Sequence, residues 1–328
     1  GFDSFKTNLG SLRNTGFEVE GNLSLIRNPK GFNWDFSFNA SLVHNKIIKL
    51  PYNGNENNRQ GGTQVFDPKT QQVIWVGGYQ EGHTMGDIYA YKQVKILSDW
   101  NEVNTMAGNY IDMIAGLYGP NVSDADKKKY GLTKPIEPGD VLWADLDGNH
   151  KIDQLDRVKV GNIYPKWTGG FSTTLSYKNV SLYGRFDFAL GQSVGFKNII
   201  KEGLKTWTEE NTNTDLPKSY YDDSTNKKNI YRDTKGSDIT SVNDRSSRFY
   251  EKGDYLALRE LTLNWKLPVN WISKVGMTNA SVYITGQNLF YITGYSGSSP
   301  EAPLTYPGVD AGRYPTPRTV LVGASVSF

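Results

Sequence analysis

The sequence predicts an all-β fold: the C-terminal strands of a large antiparallel transmembrane β-barrel with long extracellular loops. Three observations predict it. Apolar and polar residues alternate with period two over several runs of strand length. The connections between those runs fall into two classes, a few residues or tens of residues, the turn-and-loop asymmetry of outer-membrane barrels. The apolar positions are rich in large aromatics, and the last strand ends on an aromatic, Phe328.

Composition sets the limits. The chain has 328 residues, with 36 Lys plus Arg against 34 Asp plus Glu. That near-balance favours neither nucleic acid nor an acidic surface as partner. Hydrophobic residues make up 37%, yet aromatics make up 13%, which suits strands with one apolar and one polar face. No stretch approaches the ~18 apolar residues of a spanning helix, whereas a barrel strand needs only ~9–11 alternating ones. There are no cysteines, so disulfides, thiolate metal sites and thiol catalysis are excluded. No signal-like segment follows Gly1, and the chain is expected to be mature, truncated or a fragment.

The first strands are the clearest. Phe17, Val19, Leu23 and Leu25 alternate with Glu18, Glu20, Asn22 and Ser24. After the tight turn Asn28-Pro29-Lys30-Gly31, Phe32, Trp34, Phe36, Phe38, Ala40 and Leu42 alternate with Asn33, Asp35, Ser37, Asn39 and Ser41. Downstream, Trp167, Phe171, Leu175 and Tyr177 form one apolar row. Past a turn near 177–179, Leu182, Phe186, Phe188 and Leu190 form the next. Leu261, Leu263 and Trp265, then Val282 and Ile284, then Val320, Val322, Ala324, Val326 and Phe328 complete the series.

Orientation follows from parity. With Phe328 periplasmic, the turns at 28–31 and 177–179 and the link 267–277 are periplasmic, and 191–247 and 293–316 lie outside. Residues 47–165 are then a largely extracellular excursion. Within it, Asp87–Leu97 is strand-like and is expected to pair with Gln71–Val76 or to lie in an extracellular flap. The count is seven spanning segments, or nine, while a single-chain bacterial barrel closes with an even number. Other residues of the same protein are expected to supply the missing strands.

Several blocks together resemble a known family. They include Asn14-Thr15-Gly16-Phe17-Glu18-Val19-Glu20, Asn45-Lys46-Ile47-Ile48-Lys49-Leu50, and Ala144-Asp145-Leu146-Asp147-Gly148-Asn149 with Gly161-Asn162-Ile163-Tyr164-Pro165-Lys166. Trp207-Thr208-Glu209-Glu210-Asn211, Tyr255-Leu256-Ala257-Leu258-Arg259-Glu260-Leu261, Gly286-Gln287-Asn288-Leu289-Phe290 and Tyr314-Pro315-Thr316-Pro317-Arg318-Thr319 follow. In this order they resemble TonB-dependent transporters of the SusC/RagA type from the outer membranes of Bacteroidota. The resemblance implies a full barrel of about 22 strands, with plug and N-terminal domains absent from this chain. It also implies TonB, a SusD-like surface lipoprotein and outer-membrane lipid as partners. The cargo it implies is an oligomeric nutrient, a glycan oligosaccharide before a peptide, and Phe328 is then the outer-membrane assembly signal.

One constellation carries metal chemistry. Asp145, Asp147, Asn149, Lys151 (through its carbonyl), Asp153 and Asp156 follow the spacing of an EF-hand loop, which wraps oxygen donors around a hard cation such as Ca²⁺. Two positions depart from it: Asp156 stands where the longer bidentate Glu is usual, and His150 where the sharp turn favours Gly. The alternative is an ion-free acidic turn held by its own Asx hydrogen bonds.

Enzyme signatures are missing. His44, His83 and His150 are far apart and unframed, and no nucleophile elbow or phosphate-binding loop occurs. Adjacent acids such as Asp222-Asp223 and Glu209-Glu210 are better read as solvated loop residues than as a glycosidase pair. Among loop aromatics, Trp143, Trp207, Tyr220 and Tyr221 are the candidates for contact with substrate or partner. Two rival functions remain, a secreted all-β glycan-binding or Ca²⁺-loop adhesin module and a glycan hydrolase.

Overall fold

The computed structural model describes residues 9–97, 99–106, 108–138, 140–195, 246–247, 250–297, 299–301, 310 and 316–328. The period-two runs form one antiparallel sheet of seven strands. In chain order they are β1 (Ser11–Ile26) and β2 (Phe32–Lys49), then, beyond a long insert, β13 (Trp167–Tyr177), β14 (Val180–Leu190), β17 (Tyr255–Lys266), β18 (Asn279–Thr293) and β19 (Thr319–Ser327). Each pairs with the next of the series, so the sheet is an uncrossed meander. The seven expected spanning segments are these seven strands.

Register keeps each face pure. Phe17 opposes Leu42, Leu42 opposes Trp167, and Trp167 opposes Leu190, all on one face. Glu20 opposes Asn39, and Asn39 opposes Gly170, on the other. A slip of one residue would exchange the faces, so the apolar pattern fixes the register. Phe36, Phe38, Phe171 and Phe186 pack as a row of rings with centroids 4.6–6.1 Å apart. Gly21 makes room for this row, because the ring of Phe38 lies where a side chain at 21 would stand. The indole N–H of Trp34 donates to Thr173 Oγ1 at 2.9 Å, which spares a polar group on the apolar face.

That face is bare. Phe17 is 60% exposed, Leu263 46%, Ile284 45% and Val322 79%. A water-soluble sandwich would bury such a row under a second sheet. Among the described residues no helix is long and apolar enough to cross a membrane, which says nothing of crossing by strands.

The short connections gather at one end of the sheet. Gly31 N–H closes the first turn onto Asn28 O at 3.0 Å, and Lys178, at φ 51, turns the chain in two residues between Tyr177 and Val180. The 267–278 link contains a short helix, Val269–Ile272, whose Trp271 meets Trp265 edge-on at 6.1 Å. Phe328 follows β19 at this end and is 80% exposed.

The opposite end carries the insert. Its elements are β3 (Thr63–Asp67), β4 (Gln72–Val76), β5 (Asp87–Tyr91), β6 (Gln93–Ile96), β7 (Ile111–Asp112), β8 (Leu117–Tyr118), β9 (Lys134–Pro135), β10 (Val141–Trp143), β11 (Lys151–Ile152) and β12 (Arg157–Asn162). Two short helices, α1 (Trp100–Thr105) and α2 (Asp124–Tyr130), join them. None of these strands joins the seven-stranded sheet. Of the two expectations for Asp87–Leu97, pairing with Gln71–Val76 does not occur. β4 pairs instead with β3, through a turn in which Asp67 accepts from Lys69 N–H and Thr70 Oγ1, while β5 pairs with β12 and β6 with β10. A local hairpin closes a short loop at small entropic cost and takes β4 before a distant strand can. Tyr91, Ile96, Leu97, Tyr110, Leu117, Val141, Trp143 and Ile152 form the insert's own core. Beyond β14, β15 (Ser193–Gly195) pairs with β16 (Tyr250–Lys252), and most of 191–247 lies outside the described residues.

Candidate functional site

The acidic loop is built from the backbone outward. Asp145 accepts from Gly148 N–H and His150 N–H, both at 2.8 Å; Asp147 accepts from Asn149 N–H at 3.1 Å, and Asn149 Oδ1 from Lys151 N–H at 2.6 Å. These successive Asx turns coil the chain, and His150 takes φ 60, the left-handed conformation that its place in the spacing requires. Asp153 caps a short 3-10 turn by accepting from Leu155 N–H, and Asp156 reaches back to accept from Leu146 and Asp153 N–H at 2.8 Å each. Lys151 and Ile152 are strand β11, which pairs in parallel with β7, and Ile152 is fully buried. The loop is therefore welded to the insert core.

Carboxylate oxygens of Asp145, Asp147 and Asp156 lie within 4.8 Å of one another. The other expected donors are turned elsewhere: Asp153 faces Lys151 Nζ at 2.9 Å, and Asn149 Nδ2 donates to Asp147. Burial pushes the Asp156 carboxyl up to about 6, and Asp147 and Asp145 raise it further against the two N–H donors that lower it. His150 Nδ1 stands 3.6 Å from Asp145 Oδ2. Three carboxylate oxygens around one point are the kind of donor that a hard divalent cation takes.

Trp143 does not lie on a surface. It is 3% exposed in the insert core, where its indole N–H donates to Asp112 Oδ2 at 3.1 Å and its ring meets Tyr91. Its role there is packing, because a bulky ring beside a β-strand pair is worth more buried than exposed. Trp207, Tyr220 and Tyr221 lie outside the described residues. Asp112 also accepts from Ile114 and Ala115 N–H, and burial pushes its carboxyl up to about 6.

A second constellation stands on the polar face of the wall. Arg259 occupies a bulge that both neighbouring ladders skip: Arg185 pairs with Glu260 and Phe186 with Leu258, while Leu258 pairs with Phe290 and Glu260 with Gln287. A bulge re-aims its side chain. Arg259 Nε donates to Asp187 Oδ2 at 2.7 Å and Nη1 to Tyr291 Oη at 3.1 Å, and Nη2 pairs with Glu301. Tyr291 Oη donates in turn to Glu301 Oε2 at 3.1 Å. Glu301 belongs to the β18–β19 connection, whose Pro300 carbonyl accepts from Gln192 Nε2. One guanidinium thus clips a long loop onto the inner wall, with two carboxylates meeting its fork. No motif spacing marks it, although the sequence carries a signal. The apolar row runs on even positions through Leu256 and Leu258 and on odd ones from Leu261, so the period breaks at Arg259.

Likeness to known proteins covers the whole chain. No protein-family model matches it. TonB-dependent receptor P3 of Formosa agariphila is 29% identical over 347 aligned residues, 100% of this chain and 30% of the relative. TonB-dependent receptor SusC of Bacteroides thetaiotaomicron is 25% identical over 98% of the chain and 27% of its own length. The solved structure of the RagAB peptide transporter superposes with a TM-score of 0.61 at 20% identity, over 98% of this chain and 30% of that one. This chain spans about 30% of the length of the curated relatives it matches. The seven strands are wall strands of an outer-membrane β-barrel, and the relatives are named as receptors rather than enzymes.

Proposed function

We infer from this likeness that the chain forms part of the barrel wall and loops of a TonB-dependent importer. Its cargo is an oligomeric nutrient, a glycan oligosaccharide or a peptide, which crosses the outer membrane with the help of a SusD-like surface lipoprotein. The observation that carries the reading is the seven-stranded sheet, with one bare apolar face for lipid and one polar face for a lumen. The polar face offers Glu20, Asn22, Ser37, Asn39, Tyr183 and Arg185 around a groove of about 150 Å³. Hydroxyls, amides and paired charges of this kind hydrogen-bond sugar hydroxyls or peptide groups equally well. The long-connection end, with the insert and the Arg259-held loop, faces outward. Phe328 at the other end is the mark for barrel assembly.

Outer-membrane fractionation of the full-length protein, followed by mass spectrometry of what co-purifies, tests this. The expected result is a heat-modifiable, detergent-dependent barrel with a lipoprotein and an oligosaccharide or peptide attached. A detergent-free soluble protein would overturn it. Deleting the gene and comparing growth on oligosaccharides and on peptides assigns the cargo.

For the acidic loop we propose Ca²⁺, held by Asp145, Asp147 and Asp156; Asn149, the Lys151 carbonyl and Asp153 would join the shell only by turning from their present partners. Its role is to stiffen the insert, because the loop is paired to β7 in the insert core. Calorimetric titration should give binding that Asp145→Asn abolishes. Absence of heat at millimolar Ca²⁺ removes the ion.

A further inference from the structure

Above the lipid-facing row, the outer face of the sheet changes character. On β1 and β2 its last apolar pair toward the insert end is Phe17 with Leu42. Thr15 then opposes His44, and Arg13 opposes Lys46. Directly opposed residues in an antiparallel ladder share a face, so Arg13, His44 and Lys46 stand on the apolar side, about 7–14 Å along the strands beyond Phe17 and Leu42. All three are exposed. The residues between them turn the other way: Asn45 Oδ1 accepts from Met85 N–H, and Ile47 is buried under the insert. Among the described residues neither Arg13 nor Lys46 has an ion pair, and two like charges directly opposed in a ladder repel. Lys46 stands on β2 between its ladder with β1 and the insert segment 82–85, which bonds Asn45 and Ile47, so the pair sits where the wall meets the insert.

We propose that Arg13 and Lys46, with His44 beside them, seat the phosphate of an anionic lipid headgroup in the outer leaflet. The proposal rests on the barrel reading above, which sets this end of the wall at the outer leaflet. Headgroup phosphate removes the repulsion between the facing cations. The apolar row beneath them, Phe17, Leu42, Val19 and Ala40, receives the acyl chains of the same lipid. Continuity of a cationic pair with an acyl surface selects a lipid over a soluble anion.

The test uses the full-length protein extracted in mild detergent and examined by native mass spectrometry with added phosphatidylglycerol, phosphatidylcholine or inorganic phosphate. Wild type should retain phosphatidylglycerol over phosphatidylcholine. Lys46→Gln should lose about fivefold in retention, and R13Q/K46Q about fivefold more. Equal retention of phosphatidylglycerol by wild type and R13Q/K46Q would overturn the proposal, as would indifference to headgroup charge or full competition by inorganic phosphate. Heat-modifiable migration is read on every sample. A wild type that lacks it breaks the barrel reading itself, whereas a heat-modifiable barrel without headgroup selectivity breaks only the lipid site. Should R13Q/K46Q fail to fold, Lys46→Gln alone decides.

Discussion

The wall and the insert use apolar residues in opposite ways. In the wall, the central rows of apolar residues face outward, bare among the described residues; the strands run 9 to 18 residues. In the insert, strands run only two to six residues, and the apolar side chains turn inward around Trp143 and Ile152. The wall is held by long ladders of backbone bonds and by lipid, the insert by a small packed core and by side chains that satisfy its loops. Large residues on the two parts should therefore respond to substitution by different rules.

The largest effect is expected in the insert core. Trp143→Ala leaves a cavity and takes the indole donor from Asp112 Oδ2, at a cost of about 3–5 kcal/mol. Limited proteolysis should then cut the insert while heat-modifiable migration of the barrel persists; loss of both together would show that the two parts fold as one. On the wall, Leu263→Arg on the lipid face should cost about 2–4 kcal/mol, and Asn264→Arg on the polar face far less. Equal costs in urea unfolding would remove the assignment of faces.

Asp112 should make the insert sensitive to pH. Its folded carboxyl titrates near 6 against an ordinary 3.8, so the folded state holds the proton more tightly than the unfolded one. Its contribution is full below about pH 4 and is lost as pH rises through 6, by up to about 3 kcal/mol. Asp112→Asn should flatten that part of the profile in hydrogen exchange of the insert amides, leaving the share due to Asp156. An unchanged slope would show that the carboxyl titrates normally. The smallest effect is at His150. Replacing it with Gly at φ 60 should stabilise the insert by about 1 kcal/mol in the same experiment, and a destabilised loop would mean that the His150 side chain matters.

Period-two alternation made the wall legible, because a half-buried strand writes its register in single residues. Phe32 to Leu42 and Val320 to Phe328 needed nothing else. The insert was opaque for a physical reason. Pairs as short as Ile111–Asp112 with Lys151–Ile152 leave no periodic trace, and their partners are set by a core assembled from distant segments. Trp143 looked like a contact residue because sequence cannot tell an exposed loop aromatic from one that fills a local core. The acidic loop was legible in its spacing down to the strained turn at His150, but Asp153's turn toward Lys151 was not. Arg259 announced itself only as a break in rhythm.

That break has a consequence for how such a barrel is altered one codon at a time. If Arg259 were deleted, Leu258 would abut Glu260, and Leu256, Leu258, Leu261, Leu263 and Trp265 would fall at every second position. The apolar row of this strand would keep its pattern, but Asn288 and Leu289 of β18, which now face Arg259, would have to readjust, and Asp187 and Glu301 would lose the guanidinium between them. The charged part of the clip on the β18–β19 loop is one inserted residue, with Tyr291 and Gln192 bonding the same loop beside it. A shell that holds the membrane and a mouth that holds its loops can change on separate schedules, since the charge in the joint between them comes from one inserted residue.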